Sequence, residues 1–235
     1  MLQAIVEGER DPQRLAALAR RRLRRKLPAL QRALTGHVTD HHRFLLRRLL
    51  GQLAFLESEI GVYDARIAEA ISPFVAILAR LDTIPGVARR TAENLVAELG
   101  ADMAVFPSAA HLASWVAICP GNHETGGQQH NGTTRHGNRW ARRACTEAAW
   151  GAKHARGTYA AAQFRRLAAR RGAKRAIVAV AHSLLVAAYY IIRDEVTYHD
   201  LGPDHFDRLA PTQLTRYLVK RLERLGHKVV LETAA

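Results

Sequence analysis

The residues best equipped for chemistry lie between positions 119 and 138, CPGNHETGGQQHNGTTRHGN. Glycine, histidine, asparagine and threonine dominate this stretch, and apolar residues are almost absent. A polar loop of about twenty residues inside a helical chain is usually functional or disordered. The residues that follow favour function. From Arg135 to Arg175 there are twelve lysines and arginines and one carboxylate, Glu147. Arg135, Arg139, Arg142 and Arg143 stand where a helix resumes. Glycines that admit close backbone approach, such as Gly126 and Gly127, beside guanidiniums that fork onto phosphate make a surface for a nucleic-acid backbone. Thr125, Thr133 and Thr134 supply hydroxyls, although a lone threonine is more often a turn residue. Cys119, His123, His130, His136 and Cys145 match no compact zinc-ligand spacing. Asp82, Glu93, Glu98, Asp102 and Glu124 are scattered, with no strands to converge them on a metal pair. No metal site is therefore expected.

A second phosphate-binding candidate precedes the loop. LDTIPGVARRTAENLVAELG, residues 81–100, reads as helix, tight turn, helix. Pro85 fixes φ, Gly86 permits close approach, and Ile84 and Val87 flank them as apolar anchors. Thr91, Ala92, Leu95, Val96 and Leu99 then form one helical face. Uncapped N–H groups at such a helix start bind anions, so Pro85, Gly86 and Val87 are candidate DNA contacts. The segment resembles a helix-hairpin-helix motif, against the plainer reading of an ordinary helical hairpin.

The elements that must hold these residues are mainly α-helical. Residues 1–72 form a basic arm. In it, Arg20–Lys26 carries six cations in seven residues on an amphipathic helix, and a break falls at Thr35-Gly36. Val38, His41, Leu45, Leu49, Leu53, Leu56, Ile60, Tyr63 and Ile67 then follow a seven-residue pattern. That pattern suits a coiled-coil arm joining two copies, or a helix packed in a single bundle. Residues 73–235 form the helical domain, and Ser72-Pro73 reads as its capped start. Ser108 reads as a cap for a helix over 109–118, and further helices follow over 139–154, 159–171, 173–195 and 211–225. Residues 227–232 read as a strand without a partner. Ala176–Ile192 is apolar apart from His182 and Ser183. It reads as the central helix of a bundle rather than a membrane span, because the rest of the chain is amphipathic. The formal net charge of +14 calls for a polyanionic partner. Two cysteines in 235 residues make no disulfide framework, so a reducing, cytoplasmic setting is expected.

Taken together, LDTIPGVARRTAENLVAELG, FPSAAHLASWVAICPG, NHETGGQQHNGTTRHGNRWARRA and AKRAIVAVAHSLLVAAYYIIRD resemble the C-terminal domain of insertion sequence 110 (110/116/902-type) family transposases. YHDLGPDHFDRL and LGHKVVLE resemble the family's ending, and the resemblance covers residues 40–232. It implies DNA transposition by strand cleavage and rejoining, guided by a structured RNA. It also implies a dimer built through a coiled coil, and Mg²⁺ held by the four carboxylates of a separate RNase H-like domain. The family's nucleophile is a serine followed by Gly-Gly or Ala-Gly and a basic residue. Thr125 stands at that serine position, ahead of Gly126 and Gly127, and Gln128 replaces the basic residue. Met1 falls shortly before the coiled-coil region. The expectation is a DNA-binding C-terminal portion, catalytically incomplete alone, binding no metal itself. The alternative is a stand-alone nucleic-acid-binding protein that regulates an intact transposase.

Overall fold

The computed structural model describes residues 1–119, 124–129, 134 and 136–232. The chain is mainly α and divides into two compact units, Met1–Ala70 and Ile71–Ala235.

The first unit begins with α1 (Leu2–Val6) and α2 (Pro12–Ala17). Asp11 starts α2 by accepting from the Gln13 N–H at 2.9 Å, with Pro12 at the first helical position, where its missing N–H costs nothing. The basic run forms a 3-10 turn over Arg21–Lys26 rather than a turn of α-helix, all of it exposed, and leads into α3 (Leu27–Leu34). Like charges crowded on consecutive residues favour neither geometry, and Pro28 sets the start of α3. The long helix α4 (Asp40–Ile71) is opened by a reciprocal cap. The Thr39 N–H donates to His42 Nδ1 at 3.1 Å, and the His42 N–H donates to Thr39 Oγ1 at 3.3 Å. Only a small core supports this unit: Ile5, Val6, Leu15, Ala16 and Ala19 are buried. Leu45, Leu49, Leu53, Leu56, Ile60, Tyr63 and Ile67, the seven-residue pattern of α4, all face solvent in the single chain.

The second unit contains α5 (Val75–Leu81), α6 (Arg89–Leu99), α7 (Ala109–Val116), α8 (Arg139–Ala152), α9 (Tyr159–Arg171), α10 (Ala173–Asp194), α11 (His205–Leu209) and α12 (Pro211–Arg224). Its hub is α10, which packs against α5, α7, α8 and α9. By length and composition α10 is apolar enough to cross a membrane. Here Ala176, Ile177, Val180, Ala181, Leu184, Leu185, Ala188 and Tyr189 lie in the core. The Tyr189 hydroxyl, deep in that core, is satisfied by the Phe106 carbonyl at 3.0 Å. Alanines on α8 and α10 let these helices approach closely, which explains how an alanine-rich segment builds a core.

Three local expectations are corrected. Ser72 caps no helix: α4 runs to Ile71 and a 3-10 turn over Ser72–Phe74 carries the chain into α5. Proline is tolerated there because a 3-10 turn starts at that point and the first N–H groups need no intrahelical partner. Ser108 holds the cap position of α7, but its hydroxyl pairs with His111 Nδ1 at 2.8 Å rather than with a backbone N–H. Residues 227–232 form no strand, and the two short strands among the described residues, at 124–125 and 128–129, pair only with each other.

Candidate nucleic-acid interface

The hairpin turn between α5 and α6 is closed by the Ile84 N–H on the Leu81 carbonyl and the Val87 N–H on the Ile84 carbonyl, both at 3.0 Å. Ile84 and Val87 are buried, so Val87 can offer a ligand only its backbone. Gly86 takes φ +84° and lies against α8. A Cβ added there would sit 2.2 Å from the Ala148 carbonyl oxygen and 2.5 Å from the Ala152 nitrogen. From the other side, a Cβ on Gly151 would come 3.2 Å from the Gly86 Cα. The backbone that Gly86 approaches is therefore α8 of this chain. What the hairpin leaves outward is the start of α6. Its cap residue, Ala88, has no side chain to satisfy the first-turn N–H groups. Arg89 and Arg90 at this end are tied back to the buried Glu93 carboxylate, by Nε at 2.9 Å and Nη1 at 3.2 Å.

The same helix that receives the hairpin turn carries the arginines. Gly151 and Ala152 close one end of α8, whereas Arg139, Arg142 and Arg143 stand in its first turns. Arg142 and Gly151 are nine residues apart, about 14 Å along the helix axis. Arg139 is exposed, with its guanidinium 5.1 Å from the ring centroid of the exposed Trp140. Arg143 is exposed and ion-paired to Glu147 at 2.7 Å, and that hydrogen bond raises its pKa. Arg142 is half-buried. Arg135 lies outside the described residues.

The polar loop is pinned at both ends. At its entry, Ile118 is buried and its N–H returns to the Ala113 carbonyl at 3.1 Å, closing α7. At its exit, Asn138 Oδ1 accepts from the Trp140 and Ala141 N–H groups, each at 2.9 Å, capping α8. Asn138 Nδ2 donates to Glu98 Oε2 on α6 at 2.7 Å, and its own N–H reaches the Trp115 carbonyl at 3.2 Å. Gly137 passes so close to the end of α7 that a Cβ would fall 2.5 Å from the Trp115 oxygen and 2.6 Å from the Ala117 Cβ. Asn138, Glu98, Gly137 and Trp140 were not singled out from the sequence as positioning residues. An asparagine immediately before a helical pattern was the available signal.

Within the loop, strands β1 (Glu124–Thr125) and β2 (Gln128–Gln129) pair antiparallel, Thr125 opposite Gln128. Gly126 and Gly127 form the turn at φ +59° and +75°. Two central residues at positive φ are the signature of a hairpin turn that suits glycine. Among the described residues, a Cβ at either glycine would meet nothing within 4 Å. Only the backbone of Thr125 is described, at the foot of this turn. His123, His130 and Thr133 lie outside the described residues. Cys145 is buried, which pushes its thiol up to about 12, so it packs as a neutral side chain. Among the described residues, no group of three or more His, Cys, Asp and Glu side chains converges as for a metal ion.

Residues 78–165 match the model of the family described as "Transposase IS116/IS110/IS902 family". The match takes in the hairpin, α6, α7, the polar loop, α8 and the first half of α9. No curated protein matches the chain.

Proposed function

We infer that this chain, which carries the IS116/IS110/IS902 transposase domain over residues 78–165, is the DNA-binding C-terminal portion of an insertion-sequence transposase. It takes part in strand cleavage and rejoining and is catalytically incomplete alone. The observation that carries the DNA reading is α8. One helix seats the hairpin turn at one end and presents Arg139, Arg142 and Arg143 at the other, beside the exit of the polar loop. The uncapped first turn of α6 and the arginine end of α8 are two phosphate-binding features on one rigid scaffold. A strand of DNA advances about 3.4 Å per nucleotide, so 14 Å corresponds to about four. At the hairpin, Pro85, Gly86 and Val87 set the position of the exposed first turn of α6, whose N–H groups make the contact; Gly126 and Gly127 contribute backbone at the loop tip, and Arg135 adds charge.

Thr125 takes the nucleophile's place at the base of the Gly-Gly turn. The Mg²⁺ chemistry is assigned, on the resemblance, to the carboxylates of a separate domain. The net charge of +14 and the arginine end of α8 serve equally a second reading, a nucleic-acid-binding regulator of an intact transposase. A structured guide RNA, a homodimer through α4 and a cytoplasmic, membrane-free setting complete the proposal. Its dimer is tested by Leu45→Asp or Leu56→Asp, which should turn a dimer into a folded monomer in light scattering.

Duplex binding across a salt series tests the central claim. Each phosphate neutralised contributes about 0.9 to the slope of log affinity against log salt. Replacing Arg139, Arg142 and Arg143 together by Ala should flatten that slope by about two to three and weaken all duplex sequences alike. An affinity insensitive to salt overturns the reading. Thr125→Ser mixed with a family carboxylate domain and guide RNA should form a covalent protein–DNA adduct. DNA cleavage by the isolated, unmodified chain would overturn the incomplete-enzyme reading.

A further inference from the structure

At the end of the matched residues, a groove of about 680 Å³ runs between α9 and the α11–α12 pair. Its lining includes Arg165, Arg166, Arg170, Phe206, Asp207 and Tyr217. The far wall is fixed by aromatic packing. Tyr159, at the start of α9, stacks on Phe206 of α11 with centroids 5.0 Å apart and meets His205 edge-on at 5.2 Å. The Tyr159 N–H is held by Asp200 Oδ1 at 2.9 Å. The Arg166 guanidinium lies 5.2 Å from the Phe206 centroid, which orients its fork before any ligand arrives. Arg165, Arg166 and Arg170 make no ion pair among the described residues. Asp207 is the one carboxylate in the described lining, so the groove is net positive.

Arg166 and Arg170 are four residues, about 6 Å, apart along α9, so both can engage neighbouring phosphates of one strand. Opposite them, Tyr217 on α12 is 59% exposed, and its hydroxyl accepts from Arg221 Nη1 at 3.4 Å. One face of Phe206 is taken by Tyr159, which leaves the Tyr217 ring as the open aromatic surface of the groove. Unpaired guanidiniums tracking a backbone, facing an exposed aromatic ring, are the two parts of a single-strand binding site. A duplex keeps its base faces stacked on one another and cannot use that ring.

We propose that the α9–α12 groove binds single-stranded polynucleotide, with Arg165, Arg166 and Arg170 on the phosphates and a base stacked on Tyr217. This goes beyond the duplex-binding reading of the hairpin and loop and uses none of their residues. Fluorescence anisotropy of the full chain with labelled oligo(dT), oligo(rU) and a duplex of equal length tests it, the first two arms separating DNA from RNA. Tyr217→Ala should weaken whichever single strand binds by about five-fold or more, the low end for a lost base–aromatic stack. Tyr217→Phe, which keeps the ring, should retain wild-type affinity. Arg165, Arg166 and Arg170 changed together to Ala should lose single-strand binding and flatten its salt slope. Circular dichroism checks that the variants fold; Tyr217 is exposed enough that its replacement leaves the fold intact. The proposal is overturned if neither single strand binds, if Tyr217→Ala changes nothing, or if Tyr217→Phe falls as far as Tyr217→Ala. It is equally overturned if polyglutamate displaces the bound strand as well as unlabelled strand does, which would make the groove an acidic-peptide site. Replacement of Arg139, Arg142 and Arg143 serves as the separate control: its failure to change duplex binding counts against the function proposed above and leaves the groove result standing.

Discussion

Two glycine turns in the second unit look alike in sequence and do opposite jobs. Gly86, in Pro85-Gly86-Val87, has positive φ and α8 pressed against the place a Cβ would occupy. Gly126 and Gly127 also have positive φ, and among the described residues nothing stands near the place of theirs. The first glycine is spent on packing inside the protein; the second pair leaves backbone open to a ligand. A glycine beside a basic segment is thus no evidence of phosphate approach until its neighbours are known. By this criterion the loop tip, rather than the hairpin glycine, is the free surface, and the hairpin's contribution reduces to the exposed start of α6.

The largest effect should come from Gly86→Ala. It drives a methyl group into backbone atoms of Ala148 and Ala152, which cannot swing aside as side-chain ends do, and it strains a positive φ. The expected loss is about 3 kcal/mol or more, lowering Tm by about 10 °C in a chain of this size. Gly151→Ala sharpens the point from the other wall. Its Cβ would be 3.2 Å from the Gly86 Cα, a contact eased by a shift of a few tenths of an ångström. The gain in helix propensity, about 1 kcal/mol, offsets that crowding. Thermal melts in which Gly151→Ala proves as damaging as Gly86→Ala would show that the crossing as a whole, and not the hairpin glycine, sets the cost.

Next in size is Asn138→Ala, which cuts the tie between the two regions. It removes the cap of α8 and the hydrogen bond to Glu98 of α6 together. A lost cap costs about 1 kcal/mol, and the abandoned, part-buried Glu98 adds to it, for about 2 kcal/mol in chemical denaturation. Asn138→Asp separates the two losses. Aspartate still caps, but it brings a second carboxylate onto Glu98. The cap is kept while the tie to α6 becomes a repulsion, so this variant's denaturation midpoint set against that of Asn138→Ala separates the cap from the tie. Wild-type stability for Asn138→Ala would mean that the loop exit is held by Gly137 and the Trp115 carbonyl alone.

How much of this was readable in the chain differs by kind of interaction. Helices with a one-sided apolar period, such as α6 and α9, are legible because burial acts through spacing of three and four. The role of α10 was legible too, from an apolar surface on all sides in an otherwise amphipathic chain. Ends were less so. The chain passes Ser72-Pro73 without a cap because the 3-10 geometry accepts proline, and Ser108 prefers His111 three residues on, a local competition that composition does not rank. At the candidate site, Gly86 and the arginines of α8 were visible as residue types. That Gly86 meets Ala148, some sixty residues away in the chain, was not, because a tight crossing is a property of two elements together. The Arg143–Glu147 pair was available at spacing i, i+4, and counting charges over the whole segment hid it. The Asn138–Glu98 bond joins residues forty apart and leaves no periodic trace.

The smallest stability effect, and the sharpest test of the comparison, belongs to Gly126→Ala. Alanine at φ +59° carries backbone strain of about 1 kcal/mol, yet no atom of the described residues lies within 4 Å of its methyl group. The turn joins strands of only two residues. Its opening is therefore a local event, and strain there is relieved by fraying rather than by global unfolding. Tm should move by no more than about 2 °C, while duplex affinity falls because the tip no longer holds its backbone in one shape. Gly126→Asn is the control. Asparagine accepts positive φ in such turns, so it should restore the turn and with it the binding. If Gly126→Ala lowers Tm as far as Gly86→Ala does, the loop tip is packed and the contrast between the two turns collapses. If Tm and duplex binding both stay at wild-type values, the tip is open but touches no DNA, and the duplex interface contracts to the arginines of α8 and the start of α6.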